Sequence, residues 1–276
     1  SSVVNDSSAS VDYTVTDAEA GKIRIDENTS SEVYITFTAD LVAGFDPIGN
    51  DTTKFSGSFN GSGYTISNLT INRPAFDNVG LFGYVLAEDG IDEESIENVG
   101  LDNVQITGGG FVGSLAGYAD ETSFENVVAR NISVTATSGN KVAGGLIGYY
   151  AIWEQPNNIT LDNAYTTGEV NGDVIGGLIG EAAEWDGDYT INISNVYSTA
   201  DINSSNTSDS SDSAAGLIGA ANRVNIESAY AAGNVTGNGD TGGLVAYDYE
   251  NSGNLSTHYA YWDVNTTNQS SSAGGT

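Results

Sequence analysis

Residues 141–150 read KVAGGLIGYY, and residues 173–182 read DVIGGLIGEA. Two copies of so specific a run of glycine, leucine and an apolar residue imply a repeated structural unit. The signature returns, with variation, at Gly80-Leu81-Phe82-Gly83, Ser114-Leu115-Ala116-Gly117, Gly145-Leu146-Ile147-Gly148, Gly177-Leu178-Ile179-Gly180, Gly216-Leu217-Ile218-Gly219 and Gly243-Leu244-Val245-Ala246. Its leucine is constant, at spacings of 34, 31, 32, 39 and 27 residues. A fixed core position recurring at this interval marks stacked supersecondary units.

A second stretch recurs between the signatures: Ile96-Glu-Asn98-Val99, Phe124-Glu-Asn126-Val127, Leu161-Asp-Asn163-Ala164, Ile193-Ser-Asn195-Val196, Ile226-Glu-Ser228-Ala229 and Leu255-Ser-Thr257-His258. These segments are short, rich in β-branched and aromatic residues, and bounded by Gly, Asn, Asp and Ser clusters, which are strand and turn signals. No window carries a helical period with caps. The chain therefore reads as all-β, a parallel β-helix or β-solenoid with coils of about 32 residues.

Stacked parallel coils bring equivalent side chains into ladders about 4.8 Å apart. Asn98, Asn126, Asn163 and Asn195 are expected to form an amide ladder, and Tyr165, Tyr197, Tyr230 and Tyr259 an aromatic one. Their expected role is to hold the stack together, with a stacking platform for sugar rings as the alternative. The signature leucine is always followed by Phe82, Ala116, Ile147, Ile179, Ile218 or Val245. Adjacent strand residues point to opposite faces, so either the glycines bend the chain and turn both inward, or an outer apolar stripe is covered. Glycine on both sides favours the bend.

Residues 1–44 contain alternating runs such as VDYTVT (11–16) and EVYITFT (32–38) and are expected to form an N-terminal β cap or assembly segment. Residues 45–276 would form the solenoid, with a projecting Ser/Asp/Asn loop at 203–213. The C-terminal end shows no helix able to seal it, and is expected to be open for continuation or docking.

The chain has 7 Lys plus Arg against 37 Asp plus Glu, a formal charge of −30. Nucleic acid and anionic membrane surfaces are repelled by such a field, and polyuronate or sulfated-glycan substrates are disfavoured. No run approaches the length of a membrane span. There is no Cys and no Met, and the opening SSVVNDSSAS looks like a trimmed chain. Sequons begin at Asn5, Asn28, Asn50, Asn60, Asn68, Asn131, Asn158, Asn192, Asn203, Asn206, Asn234, Asn254, Asn265 and Asn268, so N-glycosylation and an extracellular location are expected.

Residues 45–71, FDPIGNDTTKFSGSFNGSGYTISNLTI, followed by VGLFGYV and the GGLIG units, resemble the GLUG-repeat proteins, and the closing YWDVNTTNQSSSAGGT resembles the stretch that follows their last unit. The resemblance covers about residues 45–276. It implies a parallel β-solenoid with adhesin-like or structural roles on bacterial or archaeal surfaces, and no single activity. The acidic, Lys-poor balance also resembles proteins of salt-loving archaea.

Catalytic chemistry is not prominent. The densest acidic clusters, Glu88-Asp89 with Asp92-Glu93-Glu94, and Glu184 with Asp186 and Asp188, fall between strands and read as solvated loops. Calcium is the one cofactor considered, at Asp173, Asp186, Asp188 and Asp240, because hard cations take several oxygens from acidic turns. His258, the single histidine, reads as a surface substitution in the last coil. No phosphate loop, nucleophile elbow, HExxH or Cys/His cluster occurs, so no enzymatic activity is expected. The sequence points first to an extracellular structural protein, a self-assembling subunit of a surface layer, sheath or filament whose partners are copies of itself. A glycan- or cell-binding adhesin comes second, and a carbohydrate-active enzyme third.

Overall fold

A computed structural model describes residues 44–87, 95–139, 141–153, 158–185, 189–204, 212–249 and 254–273, together with a parallel pairing of Tyr13–Thr14 with Ile35–Thr36. Apart from that pairing, the N-terminal cap expected from residues 1–44 lies outside the described residues.

Each coil visits three parallel sheets in turn. Sheet I contains Asn78–Val79, Phe111–Gly113, Val142–Gly144, Val174–Gly176, Ser213–Ala215 and Asp240–Gly242. Sheet II contains Phe82–Leu86, Ala116–Asp120, Ile147–Ile152, Ile179–Glu184, Ile218–Asn222 and Val245–Asp248. Sheet III runs from Phe59–Asn60 through Ser95–Asp102, Ser123–Ala136, Ile159–Gly172, Ile191–Ser198 and Val224–Ala231 to Ser256–Trp262. Every strand pairs in parallel with its equivalents in the coils before and after it, which makes the chain a β-solenoid.

The signature turns the chain from sheet I into sheet II. A Cβ at Gly145 would overlap the carbonyl of Gly177, one at Gly177 that of Gly216, and one at Gly216 that of Gly243, so these three coils have no room there for a side chain. Ser114 occupies the same corner in an earlier coil and donates its hydroxyl to the Gly145 carbonyl.

The second glycine resolves the apparent conflict over which residues face inward. Gly148 drops out of the strand ladder, where pairing passes from Ala116↔Ile147 directly to Tyr118↔Tyr149. The skip repeats in the other coils. Alternation is thereby reset: Leu146, Ile147 and Tyr150 all enter the main core, while Tyr149 belongs to a separate cluster outside it. Both signature residues point inward, as the bend requires.

Sheet III uses a different residue for the same purpose. Asn98, Asn126, Asn163, Asn195, Ser228 and Tyr259 all adopt the left-handed conformation, with φ between 50° and 57°. Asn tolerates this region better than most residues with a Cβ. The kink lets residues three apart, such as Phe124 and Val127 or Ile193 and Val196, both enter the core. A second left-handed series, Asn68, Asn103 and Asn131, turns the far side of the same sheet.

The asparagine ladder extends back to Asn60 and stops before its expected end. Nδ2 of Asn98 donates to Asn60 Oδ1 at 3.4 Å, that of Asn126 to Asn98 at 3.0 Å and that of Asn163 to Asn126 at 2.5 Å. Asn195 instead donates its Nδ2 to Asp162 Oδ1 at 2.8 Å.

The tyrosine ladder needs one correction. Tyr165, Tyr197 and Tyr230 are in register, and the fourth member is Tyr261. In the last coil Ile226 pairs with Thr257 and Ala229 with Ala260, so the stretch beginning at Leu255 lies two residues ahead of the true equivalent. Tyr259 holds the left-handed kink, and His258 pairs with Glu227. Leu255 is apolar and buried, which made it resemble the first slot that Thr257 fills.

The ends also differ from expectation. Residues 48–55 lie along the first strand of sheet II, with Ile48 N donating to Leu81 O at 2.9 Å and Phe55 N to Tyr84 O at 2.9 Å. At the other end the Ser-rich tail docks on the last corner. Trp262 packs against Gly243, its Nε1 donates to Gln269 O at 2.8 Å, and Gly243 N donates to Ser271 O at 2.9 Å. The expectation of an unsealed C-terminal end is therefore corrected at this corner, although Tyr259 and Tyr261 on the last strand of sheet III are 61% and 63% exposed.

Asn126→Ala should lose about 2 kcal/mol of stability, combining left-handed backbone strain with the lost amide bonds. Asn126→Gly, which relieves the strain, should lose about half of that by urea unfolding. Equal losses would show that the kink contributes nothing.

Candidate functional site

The described residues bring most chemistry together on the outer face of sheet II. One outward column reads Tyr84, Tyr118, Tyr149, Glu181, Ala220 and Tyr247 from coil to coil. The first three rings lean on one another, with centroids 4.4 Å and 4.9 Å apart, and Phe111 from sheet I packs against Tyr118 and Tyr149. Ala151 and Ala183, fully buried, join Tyr149 in a small apolar cluster separate from the core.

Trp153 and Trp185 follow the ends of their strands at the same offset from the signature leucine, and their rings lie 6.5 Å apart. Trp153 Nε1 donates to the Tyr118 hydroxyl at 2.8 Å, and Trp185 Nε1 to that of Tyr149 at 2.9 Å. Their single polar atoms are thereby used in fixing ring orientation, while each indole stays 40% exposed. Tyr249 packs edge-on to Trp185 at 5.2 Å and to Tyr247 at 5.1 Å, and its hydroxyl donates to Glu181 Oε1 at 2.8 Å.

Burial governs the ionisation of these groups. Desolvation, reinforced by the Asp120 carboxylate, pushes the Tyr118 phenol up to about 12, and desolvation raises Tyr84, Tyr149 and Tyr249 further. All four phenols keep their protons at neutral pH. Desolvation also raises the Glu181 carboxyl above the usual range, against a smaller lowering by the Tyr249 hydroxyl. Glu184, fully buried, is neutralised by Arg223 Nε at 3.2 Å. Asn222 donates Nδ2 to the Glu184 carbonyl at 2.7 Å, and its buried Oδ1 has no hydrogen-bond partner among the described residues.

Of the expected calcium ligands, Asp173 and Asp240 are among the described residues. Asp173 is paired with Lys141 at 3.1 Å. Asp240 pairs with Ser213, one position beyond the equivalent of Asp173, so the two acidic turns are out of register. Asp186 and Asp188 lie outside the described residues, as do Glu88, Asp89, Asp92, Glu93 and Glu94. Among the described residues no three His, Cys, Asp or Glu side chains group as metal ligands.

The sequons have a sidedness that the sequence did not show. Asn60, Asn68, Asn131, Asn158, Asn192, Asn203, Asn234, Asn254, Asn265 and Asn268 all belong to sheet III, its turns or the short segment that follows it. Asn50, in the N-terminal segment, is the exception among those described, and Asn5, Asn28 and Asn206 lie outside the described residues. None of the described sequon asparagines is buried. Most of the projecting loop expected at 203–213 is likewise outside the described residues, while Asn203 and Ser204 belong to a strand, Asp201–Ser204.

Sequence reasoning missed the sheet II face because it followed the leucine and asparagine repeats. The signal was present in the tyrosine one residue after the signature, at Tyr84, Tyr118 and Tyr149, and in the matched Trp153 and Trp185.

No family model matches the chain. Over 110 residues, 38% of the chain, it is 46% identical to halomucin of Haloquadratum walsbyi, and that match spans 1% of halomucin. Over 77 residues, 27% of the chain, it is 39% identical to a proposed Gly-rich membrane protein of Evansella cellulosilytica, spanning 8% of it. The matched stretches are thus small parts of much longer proteins. Among solved structures, a proposed immunoglobulin A1 protease from Bacteroides ovatus aligns with 78% of this chain and 76% of its own, at a TM-score of 0.52 and 20% identity. At that identity the likeness shows the fold alone.

Glu181 generates a pH prediction. Its native pKa lies above the unfolded value of about 4.3, so the fold favours the neutral carboxyl. That contribution is complete below the unfolded pKa and is lost as pH rises through the native one. Glu181→Gln, which keeps an acceptor for Tyr249, should therefore be more stable than the parent at pH 7 and equal to it at pH 3. Thermal unfolding at both pH values and matched salt would show this, and a destabilised variant at pH 7 would contradict it.

Proposed function

We propose that this chain is a non-enzymatic structural segment of an extracellular surface protein, a β-solenoid rod that assembles with copies of itself into a layer, sheath or filament. The observation that carries the reading is the match to halomucin, in which 110 residues of this chain align at 46% identity with 1% of a far longer protein. Long chains that reuse one stacking unit build extended bodies, because each coil contacts only its neighbours. The second relative, a proposed membrane protein, supports a place at the cell envelope.

Three physical features agree. The charge of −30 keeps a crowded surface hydrated where salt screens repulsion. The sequons gather on sheet III, so glycans attached there would coat one flank and leave the others able to make contact. The exposed Tyr259 and Tyr261 on sheet III offer aromatic surface for contact with a neighbouring copy.

Negative-stain electron microscopy of the purified chain across a salt and calcium series tests the reading. Ordered filaments, tubes or sheets are expected. Isolated short rods under every condition would exclude self-assembly.

A further inference from the structure

We infer that the outer face of sheet II is a binding platform for an uncharged saccharide, centred on Trp153, Trp185, Tyr247, Tyr249 and Glu181. This goes beyond the assembly role and is independent of it.

The ring arrangement argues for a flat ligand. Trp153 and Trp185 lie 6.5 Å apart with their planes tilted by 30°, while Tyr249 stands edge-on to Trp185 at 5.2 Å and to Tyr247 at 5.1 Å. A flat ligand fits across the two indoles, with the tyrosines beside it. The apolar C–H face of a pyranose is suited to that, and both indoles are 40% exposed with their Nε1 tied down.

A carboxyl sits among these rings. Glu181 occupies the column that holds tyrosine in the neighbouring coils, and it is held among those rings at the expense of an easily ionised carboxyl. It accepts from Tyr249 at 2.8 Å and has a second carboxyl oxygen to offer. A few fixed polar groups beside aromatic surface are the usual composition of a small-molecule site.

Charge selects among saccharides. With −30 overall and a carboxyl at its centre, the face rejects uronates and sulfated sugars and accepts neutral ones.

The test is titration of the full chain with uncharged hexasaccharides built on glucose, mannose, galactose and N-acetylglucosamine, with a hyaluronan hexasaccharide and tetramethylammonium as contrasts. Binding is read by tryptophan emission and by saturation-transfer NMR. At least one neutral sugar should bind, with affinity reduced at least tenfold in Trp185→Ala and in Tyr249→Phe, and unchanged in Tyr230→Ala on sheet III. Circular dichroism of Tyr249→Phe checks that the fold persists. Absence of binding to every neutral sugar, preference for either contrast ligand, or loss of binding in Tyr230→Ala alone would overturn the assignment.

Discussion

Everything in this fold depends on reconciling a strand period of two with a core that needs adjacent and third-neighbour residues to face the same way. The chain solves this twice per coil. On sheet II a glycine steps out of the ladder, so Ile147 and Tyr150 both turn inward. On sheet III a left-handed residue, usually asparagine, does the same for Phe124 and Val127. Because equivalent residues stack directly above one another, each kink must recur in every coil or the ladder breaks. The repeat in the sequence is the chemical record of that demand.

The sheet architecture was legible because its requirements are local and repeated. Glycine at 145, 177 and 216 and asparagine at 98, 126 and 163 each mark a backbone need that few other residues meet. The last coil was misaligned because its residues fill the same places with different chemistry: Thr257 takes an apolar slot and Tyr259 a left-handed one. The docked tail was not legible either, since the contact of Trp262 with Gly243 joins positions related only by folding. The same applies to the sheet II face. Its tyrosines and tryptophans recur in only some coils, and Asn222 and Glu181 acquire meaning from burial, which spacing does not reveal.

The three faces divide labour by chemistry. Sheet III carries amide ladders, stacked tyrosines and almost all described sequons, a hydrated flank held in register by side-chain hydrogen bonds. Sheet I is narrow, built from strands of two or three residues pressed against the glycine corners. Among the described residues, sheet II carries a second apolar layer outside the core, joined by Phe111 of sheet I, together with a carboxyl whose burial opposes its ionisation. A group that opposes its own surroundings in this way is more readily understood as serving contact with another molecule than as serving stability.

The most direct test of the solenoid itself uses the absence of native cysteine. Spin labels on cysteines introduced at Glu97 and His258 would sit on equivalent positions of sheet III, connected through Glu125, Asp162, Ser194 and Glu227. Five ladder steps predict a narrow pulsed electron-paramagnetic-resonance distance of about 24 Å between residues far apart in sequence. A broad distribution, or a peak beyond about 40 Å, would contradict the stacked register on which the account rests.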